Sequence, residues 1–269
     1  MKYGVISDVH ANLAALDAVC RQLDAAGVER VICLGDTVGY HAHPNQCVAR
    51  VRERCDVVLA GNHDRAAVGT LDPVEFPFVA RHAIAWTRDV LEPEHAAYLA
   101  GLPCFDVLDR TTSLVHGALA PTPNDLLHIS SPQRIAANLA ALARRTERLC
   151  WFGHTHKPVV HTWRAGQVAS QVGVVSIELA AETRYLVNPG SVGLPRDGDP
   201  RAACAIFDDG RIRFVRVEFD VAATRRAAAA AGLPRRASVV HRSLDEARSR
   251  WYHAISLARR ARARARARF

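Results

Sequence analysis

Several features that define other classes of protein are missing from this 269-residue chain. Its seven cysteines form no C-x-x-C pair, their number is odd, and several lie within apolar runs, where a reduced cysteine acts as a small hydrophobic side chain. No apolar stretch approaches the roughly 18 residues of a transmembrane helix, and Lys2 leads into a predicted strand rather than into a signal peptide. We therefore expect a reduced, cytoplasmic protein with no membrane partner.

Lysine is nearly absent as well, because Lys2 and Lys157 are the only two and arginine supplies the other basic side chains. The formal net charge of +8 is unevenly placed. From Ala222 to Phe269, 13 arginines face only Asp245 and Glu246, a balance of +11, so the preceding residues carry −3. The body of the chain is therefore mildly acidic, and the basic charge belongs to its end.

The length, the 49% hydrophobic content and the lack of an internal repeat predict one sizeable domain, residues 1–221, followed by an Arg/Ala-rich tail, residues 222–269. We expect this tail to be helical, with a helix from about Leu244, or disordered. Two interpretations of it stay open. It is a solvated end of biased composition, or it binds nucleic acid or another polyanion by releasing counterions from phosphates.

Short apolar runs alternate with segments of helical periodicity in the first half of the chain, which predicts βαβ units. The second half is richer in strands, and Asp208, Asp209 and Gly210 between two alternating runs predict a tight hairpin. The predicted strands are residues 2–7, 30–34, 57–60, 105–108, 112–115, 149–152, 159–163, 174–179, 184–188, 203–207 and 211–218, and the predicted helices are residues 11–26, 45–53, 77–100 with a break near Pro93, and 132–145.

Five of the 13 histidines fall within five short motifs, most of which directly follow an apolar run and therefore lie where a predicted strand ends. Asp8 and His10 are one residue apart, so both side chains can point to one position as strand turns into loop. Asp36 has two carboxylate oxygens and can bridge two cations. The motifs contain Asp8, His10 and Asn12; Gly35 and Asp36; Gly61, Asn62, His63 and Asp64; His116 and Gly117; and Gly153, His154, Thr155 and His156.

The types of side chain in these motifs predict a metal centre. Carboxylate, amide and imidazole together suit divalent transition metals better than calcium, and Mn, Fe, Zn, Co and Ni all remain candidates. His154 and His156, again one residue apart, can reach two adjacent ions from one loop. His63 follows a neutral oxygen donor, Asn62, and we expect its ring to point elsewhere and to stay free for proton chemistry.

In this order the motifs resemble those of the calcineurin-like metallophosphoesterases, and especially their compact bacterial phosphodiesterase branch. The resemblance spans residues 2–219 and includes the turn from Asn188 to Gly193 and the stretch from Pro195 to Arg201. It implies an α/β fold, a four-layer α/β/β/α sandwich of two mixed sheets with flanking helices. It also implies a dinuclear enzyme that hydrolyses phosphoesters, most simply small phosphodiesters or cyclic nucleotides.

Residue by residue, the resemblance implies that Asp8, His10 and His156 hold one metal, that Asn62, His116 and His154 hold the other, and that Asp36 bridges them. A hydroxide between the two ions would attack phosphorus in line. His63 would be the general acid that protonates the leaving oxygen.

Protein Ser/Thr phosphatases continue their G-D motif with D-R-G, whereas here Thr37 to Tyr40 supply neither that carboxylate nor that arginine. Protein phosphatase activity is therefore disfavoured. Substrate contacts are predicted instead at Asn12, Tyr40, His41 and Arg65. Alternative functions are a dinucleoside polyphosphate hydrolase, a phosphomonoesterase, a nuclease guided by the basic tail, and a binding scaffold that has lost catalysis.

Overall fold

The computed structural model describes residues 2–122 and 126–234. The predicted helix from Leu244 and most of the predicted tail lie outside these residues. The strands are β1 Tyr3–Ile6, β2 Arg30–Cys33, β3 Val57–Val58, β4 Phe105–Leu108, β5 Thr112–Val115, β6 Leu149–Trp151, β7 Val159–Arg164, β8 Gln167–Val172, β9 Ser176–Glu178, β10 Arg184–Asn188, β11 Ala202–Asp208 and β12 Arg211–Val217. The α-helices are α1 Leu13–Ala25, α2 Pro44–Arg54, α3 Asn62–Ala67, α4 Phe78–Val90, α5 Pro93–Ala100, α6 Pro132–Ala143 and α7 Val221–Ala230, with a short 3₁₀ helix at Pro73–Glu75.

The strands form two six-stranded sheets, with orders β3-β2-β1-β11-β12-β9 and β4-β5-β6-β10-β7-β8. In the first sheet β1, β2 and β3 are parallel, and in the second β5, β6 and β10 are parallel. The remaining pairs are antiparallel, so both sheets are mixed, as predicted.

Strand side chains alternate between two apolar layers with the period of two that a pleated strand imposes. In β1, Val5 packs between the two sheets whereas Ile6 faces the helix layer. In β6, Trp151 packs between the sheets whereas Cys150 contacts the opposite outer layer. Both faces of these strands are therefore buried, which is why their sequences read as continuous apolar runs.

Helices cover the outer face of each sheet. Leu16, Val19 and Leu23 of α1 pack on the first sheet, and Leu139 and Leu142 of α6 pack on the second. The order of layers is helix, sheet, sheet, helix. The predicted four-layer α/β/β/α sandwich is therefore confirmed.

The predicted hairpin between β11 and β12 is confirmed. Asp208 pairs with Arg211, so the loop is the two residues Asp209 and Gly210, whose φ values of 44° and 79° are those that a type I′ turn requires.

Strand β8, helix α3 and the short 3₁₀ helix at Pro73–Glu75 were not predicted from the sequence, and the start of the tail was predicted only as helical or disordered. All six residues of β8 are exposed at the edge of the second sheet, so no buried apolar run marks this strand. Helix α3 is only six residues long and begins within a motif that we interpreted as loop. Helix α7 begins at Val221 and packs back on the domain, where Ala228 and Leu233 contact Ala83. The boundary between residues 221 and 222 stays a prediction.

The described residues include every cysteine of the chain. All seven are free thiols, five of them buried. Within residues 2–122 and 126–234, no helix combines the length and apolarity that a membrane crossing requires.

One buried histidine makes the stability of this fold depend on pH. His161 in β7 is 5% exposed, its ring stacks on Phe152, and its Nδ1 lies 2.7 Å from the hydroxyl of Ser170 on β8. Burial lowers the pKa of His161 to about 4, against about 6.5 for an unfolded histidine. The unfolded chain therefore binds the proton more readily, and the stability that neutral His161 contributes is lost as the pH falls from about 6.5 towards 4.

We predict that His161→Phe reduces this acid sensitivity. Between pH 7.5 and pH 5, its free energy of unfolding should fall by about 2 kcal/mol less than that of the unmodified protein. Urea titrations in the presence of chelator measure the difference, and replacement of the exposed His82 by Gln is the matched control. Identical pH dependence for His161→Phe and the unmodified protein would contradict the prediction.

Candidate metal centre

The predicted ligands converge because the strands that precede them are parallel neighbours in each sheet. Asp8 follows β1, Asp36 follows β2, and His116 and His154 follow β5 and β6. The ends of parallel strands meet at one edge of a sheet, and the two sheets bring their edges together here. All seven predicted ligands are at least 92% buried: Asp8, His10, Asp36, Asn62, His116, His154 and His156.

Asp8, His10 and His156 form one group, with one donor atom from each within 4.8 Å of the others. Nε2 of His10 lies 3.1 Å from Nε2 of His156, which in turn lies 3.4 Å from a carboxylate oxygen of Asp8. This is the set that the sequence predicts for the first metal.

His116, His154 and Asp36 form a second group on the same criterion. The side-chain oxygen of Asn62 lies 3.1 Å from Nε2 of His116 and completes the predicted set for the second metal. Oδ2 of Asp36 lies 3.4 Å from Nε2 of His116 and 3.7 Å from Nε2 of His10. The Asp36 carboxylate therefore stands between the two groups, where a bridging ligand must be.

Backbone carbonyls orient three of the imidazoles. Nδ1 of His10 lies 3.2 Å from the carbonyl of Val38, Nδ1 of His116 lies 2.9 Å from that of Leu34, and Nδ1 of His156 lies 2.6 Å from that of Leu194. Because a carbonyl oxygen only accepts, each Nδ1 carries the proton and donates it outward, so the Nε2 atoms of neutral His10 and His156 present lone pairs to the interior.

Two observations show that this donor set fits a cation. The Nδ1 atoms of His10 and His156 carry the ring protons, so their Nε2 atoms, 3.1 Å apart, face each other with lone pairs that repel. A cation bound by both nitrogens would replace this repulsion with attraction. Nε2 of His154 is buried and has no hydrogen-bond partner among the described residues. Buried imidazole nitrogens are normally hydrogen-bonded or bound to metal.

Charges within the site are strongly coupled. Burial raises the pKa of Asp8 to about 6. Burial also opposes ionisation of Asp36, but the positive charge of His116 and the hydrogen bond from the His63 backbone N–H outweigh it and lower the pKa of Asp36. His116 shows the converse effect, because the Asp36 carboxylate overcomes desolvation and raises its pKa to about 10. The buried carboxylates thus draw positive charge to the position that the second metal would take.

The backbone at the site adopts an uncommon conformation. Five of the seven predicted ligands have positive φ values between 49° and 63°, namely Asp8, His10, Asp36, His154 and His156. For residues other than glycine this costs about 1–3 kcal/mol each and persists only where other interactions enforce it. Here the backbone N–H groups of Asp8 and His10 donate to the carbonyls of Gly35 and Asp36, at 3.0 and 2.9 Å.

His63 lies beside the predicted ligands and does not turn away from them. One ring nitrogen lies within 4.8 Å of donor atoms of His10 and Asp36, and its backbone N–H donates to Asp36 Oδ1 at 2.8 Å. The ring packs between Tyr40 and Phe76, and its Nδ1 is buried with no hydrogen-bond partner among the described residues. Burial lowers its pKa to about 4, although Asp36 acts in the opposite direction.

Two of the predicted substrate contacts have structural partners. Asn12 caps α1 by accepting from the Ala15 N–H, accepts from Thr224 of α7, and donates to the carbonyl of Gly193. Nδ1 of His41 donates to the carbonyl of His10, and burial lowers the pKa of His41 to about 4. Both side chains are 2% exposed, and a substrate contact by either stays a prediction.

The other two predicted contacts differ in position. Tyr40 lies against the site, with its ring centroid 4.8 Å from those of His10 and His63. Arg65 lies in α3, where its carbonyl accepts from Thr70 and its side chain is half-buried.

Three further residues at the site were missed in the sequence. The carboxylate of Asp64 is fully buried and accepts from the backbone N–H groups of Val38 and Gly61, both at 3.0 Å, which ties two site loops together. The ring of His128 stands edge-on to that of His154, with centroids 4.0 Å apart. Nη2 of Arg196 lies 3.3 Å from the Tyr40 hydroxyl. Asp64 lay within a motif and Arg196 within the stretch from Pro195 to Arg201 that belongs to the resemblance, but neither was given a role, whereas no sequence signal sets His128 apart.

With this geometry established, comparison with known proteins defines the class. Residues 1–210 match the family model described as the calcineurin-like phosphoesterase superfamily domain. The chain belongs to the calcineurin-like phosphoesterase superfamily and is a hydrolase of that group, whose members use divalent metals. The resemblance inferred from the motifs is therefore confirmed.

Individual relatives agree with this assignment. The chain is similar to a metallophosphoesterase from Sphaerobacter thermophilus, with 38% sequence identity, a TM-score of 0.76, and coverage of 89% of this chain and 98% of that one. An uncharacterised protein of Methanocaldococcus jannaschii is 34% identical over 220 residues, which are 81% of this chain and 87% of that protein. A hypothetical protein from Pyrococcus horikoshii shares the fold, with 19% identity, a TM-score of 0.70, and coverage of 88% and 96%.

We predict that Gly61→Ala displaces Asp36 from the site. A methyl group at residue 61 would overlap the Asp36 carboxylate and its backbone nitrogen, neither of which can move without breaking the loop. Metal content after loading with manganese should fall well below that of the unmodified protein, and the free energy of unfolding should drop by about 1–3 kcal/mol, as for other overpacked sites. Elemental analysis and urea titration measure the two effects.

Gly101→Ala is the matched control, because a Cβ there meets nothing closer than 3.6 Å and the backbone is helical. Normal metal content in Gly61→Ala would show that the Asp36 loop is not required for binding.

Proposed function

We propose that this protein is a dinuclear metal-dependent phosphodiesterase that acts on small phosphodiesters. The observation that carries the proposal is the position of the Asp36 carboxylate, with one oxygen 3.4 Å from a nitrogen of His116 and 3.7 Å from a nitrogen of His10. A carboxylate shared in this way by two sets of donors suits a pair of cations, which in two-metal hydrolases lie about 3.5–4 Å apart.

The residues have separate tasks in this proposal. Asp8, His10 and His156 would hold one ion, Asn62, His116 and His154 the other, and Asp36 both. Divalent metals at these positions supply Lewis acidity, which polarises phosphoryl oxygens and lowers the pKa of water. Manganese, iron, zinc, cobalt and nickel all accept this donor set.

His63 is the proposed proton donor to the leaving oxygen. One of its ring nitrogens lies within 4.8 Å of donor atoms of His10 and Asp36, so the imidazole borders the position that a metal-bound phosphoester would take. The Tyr40 and Phe76 rings hold the imidazole in place, at centroid distances of 4.8 and 5.1 Å. The backbone N–H of His63 donates to Asp36, which ties the proton donor to the bridging ligand at 2.8 Å.

A diester is the preferred substrate class on grounds of charge. A phosphomonoester is a dianion near neutral pH, whereas a diester carries one negative charge. A diester therefore needs fewer positive charges in the site, besides the metals, to bind. The site itself contributes the buried carboxylates Asp8 and Asp36, which oppose additional negative charge.

The test is a metal-supplemented screen of aryl phosphodiesters, cyclic nucleotides, dinucleoside polyphosphates and phosphomonoesters. We expect the highest kcat/KM on a diester such as bis(4-nitrophenyl) phosphate, and loss of turnover in excess chelator. Asp36→Asn should reduce kcat/KM at least about 1,000-fold, because the amide weakens binding of both ions at once. Full activity in Asp36→Asn would refute the assignment, and faster turnover of monoesters or polyphosphates would replace the substrate class.

The same screen with His63→Ala examines leaving-group protonation. Esters of poorly acidic alcohols need a proton on the leaving oxygen, whereas 4-nitrophenolate leaves without one. The loss in kcat should therefore be large, about 100-fold or more, for alkyl leaving groups and small for nitrophenyl ones. An equal loss for both would assign His63 to metal binding or structure instead.

A further inference from the structure

Arg196 lies outside the metal-binding motifs, and the role inferred for it rests on the proposed function. We propose that Arg196 binds a non-bridging oxygen of the substrate phosphate, and that Tyr40 positions its guanidinium over the metal centre.

The loop that carries Arg196 is attached to a predicted metal ligand at two points. The carbonyl of Leu194 lies 2.6 Å from Nδ1 of His156, and the backbone N–H of Arg196 donates to the carbonyl of His156 at 3.3 Å. Ser191 strengthens the attachment by donating to the carbonyl of Asp8 at 2.8 Å. These hydrogen bonds therefore fix the backbone of Arg196 relative to both Asp8 and His156.

The side chain of Arg196 lies against Tyr40, a residue that borders the metal groups. Its Nη2 donates to the Tyr40 hydroxyl at 3.3 Å, and its guanidinium carbon lies 5.9 Å from the centre of the Tyr40 ring. That ring in turn lies 4.8 Å from the rings of His10 and His63.

Nearby carboxylates do not neutralise Arg196. Asp197 and Asp199 follow it in sequence, but Asp197 pairs with Arg216, and Asp199 pairs with Arg201 at 2.7 Å. Within the described parts of the chain, the one side-chain partner of the Arg196 guanidinium is the neutral Tyr40 hydroxyl. A guanidinium has five N–H donors in a planar fork that matches phosphate oxygens, and most of them are left for a ligand.

The experiment uses inorganic phosphate as a probe of binding and bis(4-nitrophenyl) phosphate as a probe of turnover. Manganese-loaded protein is compared with Arg196→Ala, Arg196→Lys and Tyr40→Phe, and each variant is first checked for metal content. Arg201→Ala is the control, since it removes an arginine of the same loop that pairs with Asp199. Calorimetry gives the Kd for phosphate, and steady-state kinetics give kcat and KM.

We expect Arg196→Ala to retain its metal, to weaken phosphate binding by about 10- to 100-fold, and to lose a similar factor in kcat/KM, as for a lost pair of charge-assisted hydrogen bonds. Arg196→Lys should recover part of the binding, because it keeps the charge without the fork. Tyr40→Phe should weaken phosphate binding by a smaller factor, and Arg201→Ala should match the unmodified protein.

Two results would overturn the assignment: unchanged phosphate affinity in Arg196→Ala with full metal content, or loss of metal from that variant, which would make the arginine a structural support. If the unmodified protein binds phosphate through Arg196 but hydrolyses no phosphoester, the proposed function fails and the role of Arg196 stands.

Discussion

The constraint on which the rest of the structure depends is the burial of two carboxylates whose ion-pair partners are imidazoles. Asp8 and Asp36 are at least 99% buried, and their immediate neighbours are imidazoles. Desolvation penalises both charges and is met in part by His116, whose pKa rises to about 10 beside Asp36. Positive charge is thus required at the centre of the cluster, and the inward-facing nitrogens of His10 and His156 show where a cation would be held.

Meeting this requirement shapes the surrounding fold. Parallel strands end at one edge and deliver the ligands, while five of those ligands adopt positive φ values that only a tightly bonded loop can maintain. Asp64 joins the Asp36 loop to Gly61, and Ser191 joins the Asp8 loop to the segment that carries Arg196. The free energy gained from the packed layers of the sandwich supports this local strain.

Most of the fold could be predicted from sequence for a local reason, and the resemblance of the motifs supplied the division of the donors into two groups. Asp8 and Asp36 directly follow buried strands, so apolar runs mark both the strands and the polar residues that end them. The remainder depends on contacts between distant segments. Arg196 reaches the site only because the Leu194 carbonyl meets a ring 38 residues away in sequence, on His156. Strand β8 was not predicted because all six of its residues are exposed and none of them belongs to the core.

The central claim is that two cations occupy this cluster and share Asp36. The most direct measurement is a crystal structure of the manganese-loaded protein with anomalous scattering at the manganese absorption edge. The account predicts two anomalous peaks about 3.5–4 Å apart, one against Asp8, His10 and His156, the other against Asn62, His116 and His154, with Asp36 between them. A single peak at this cluster would contradict the account. Peaks at other residues, with the hydrogen bonds between the ligand side chains still in place, would contradict it as well.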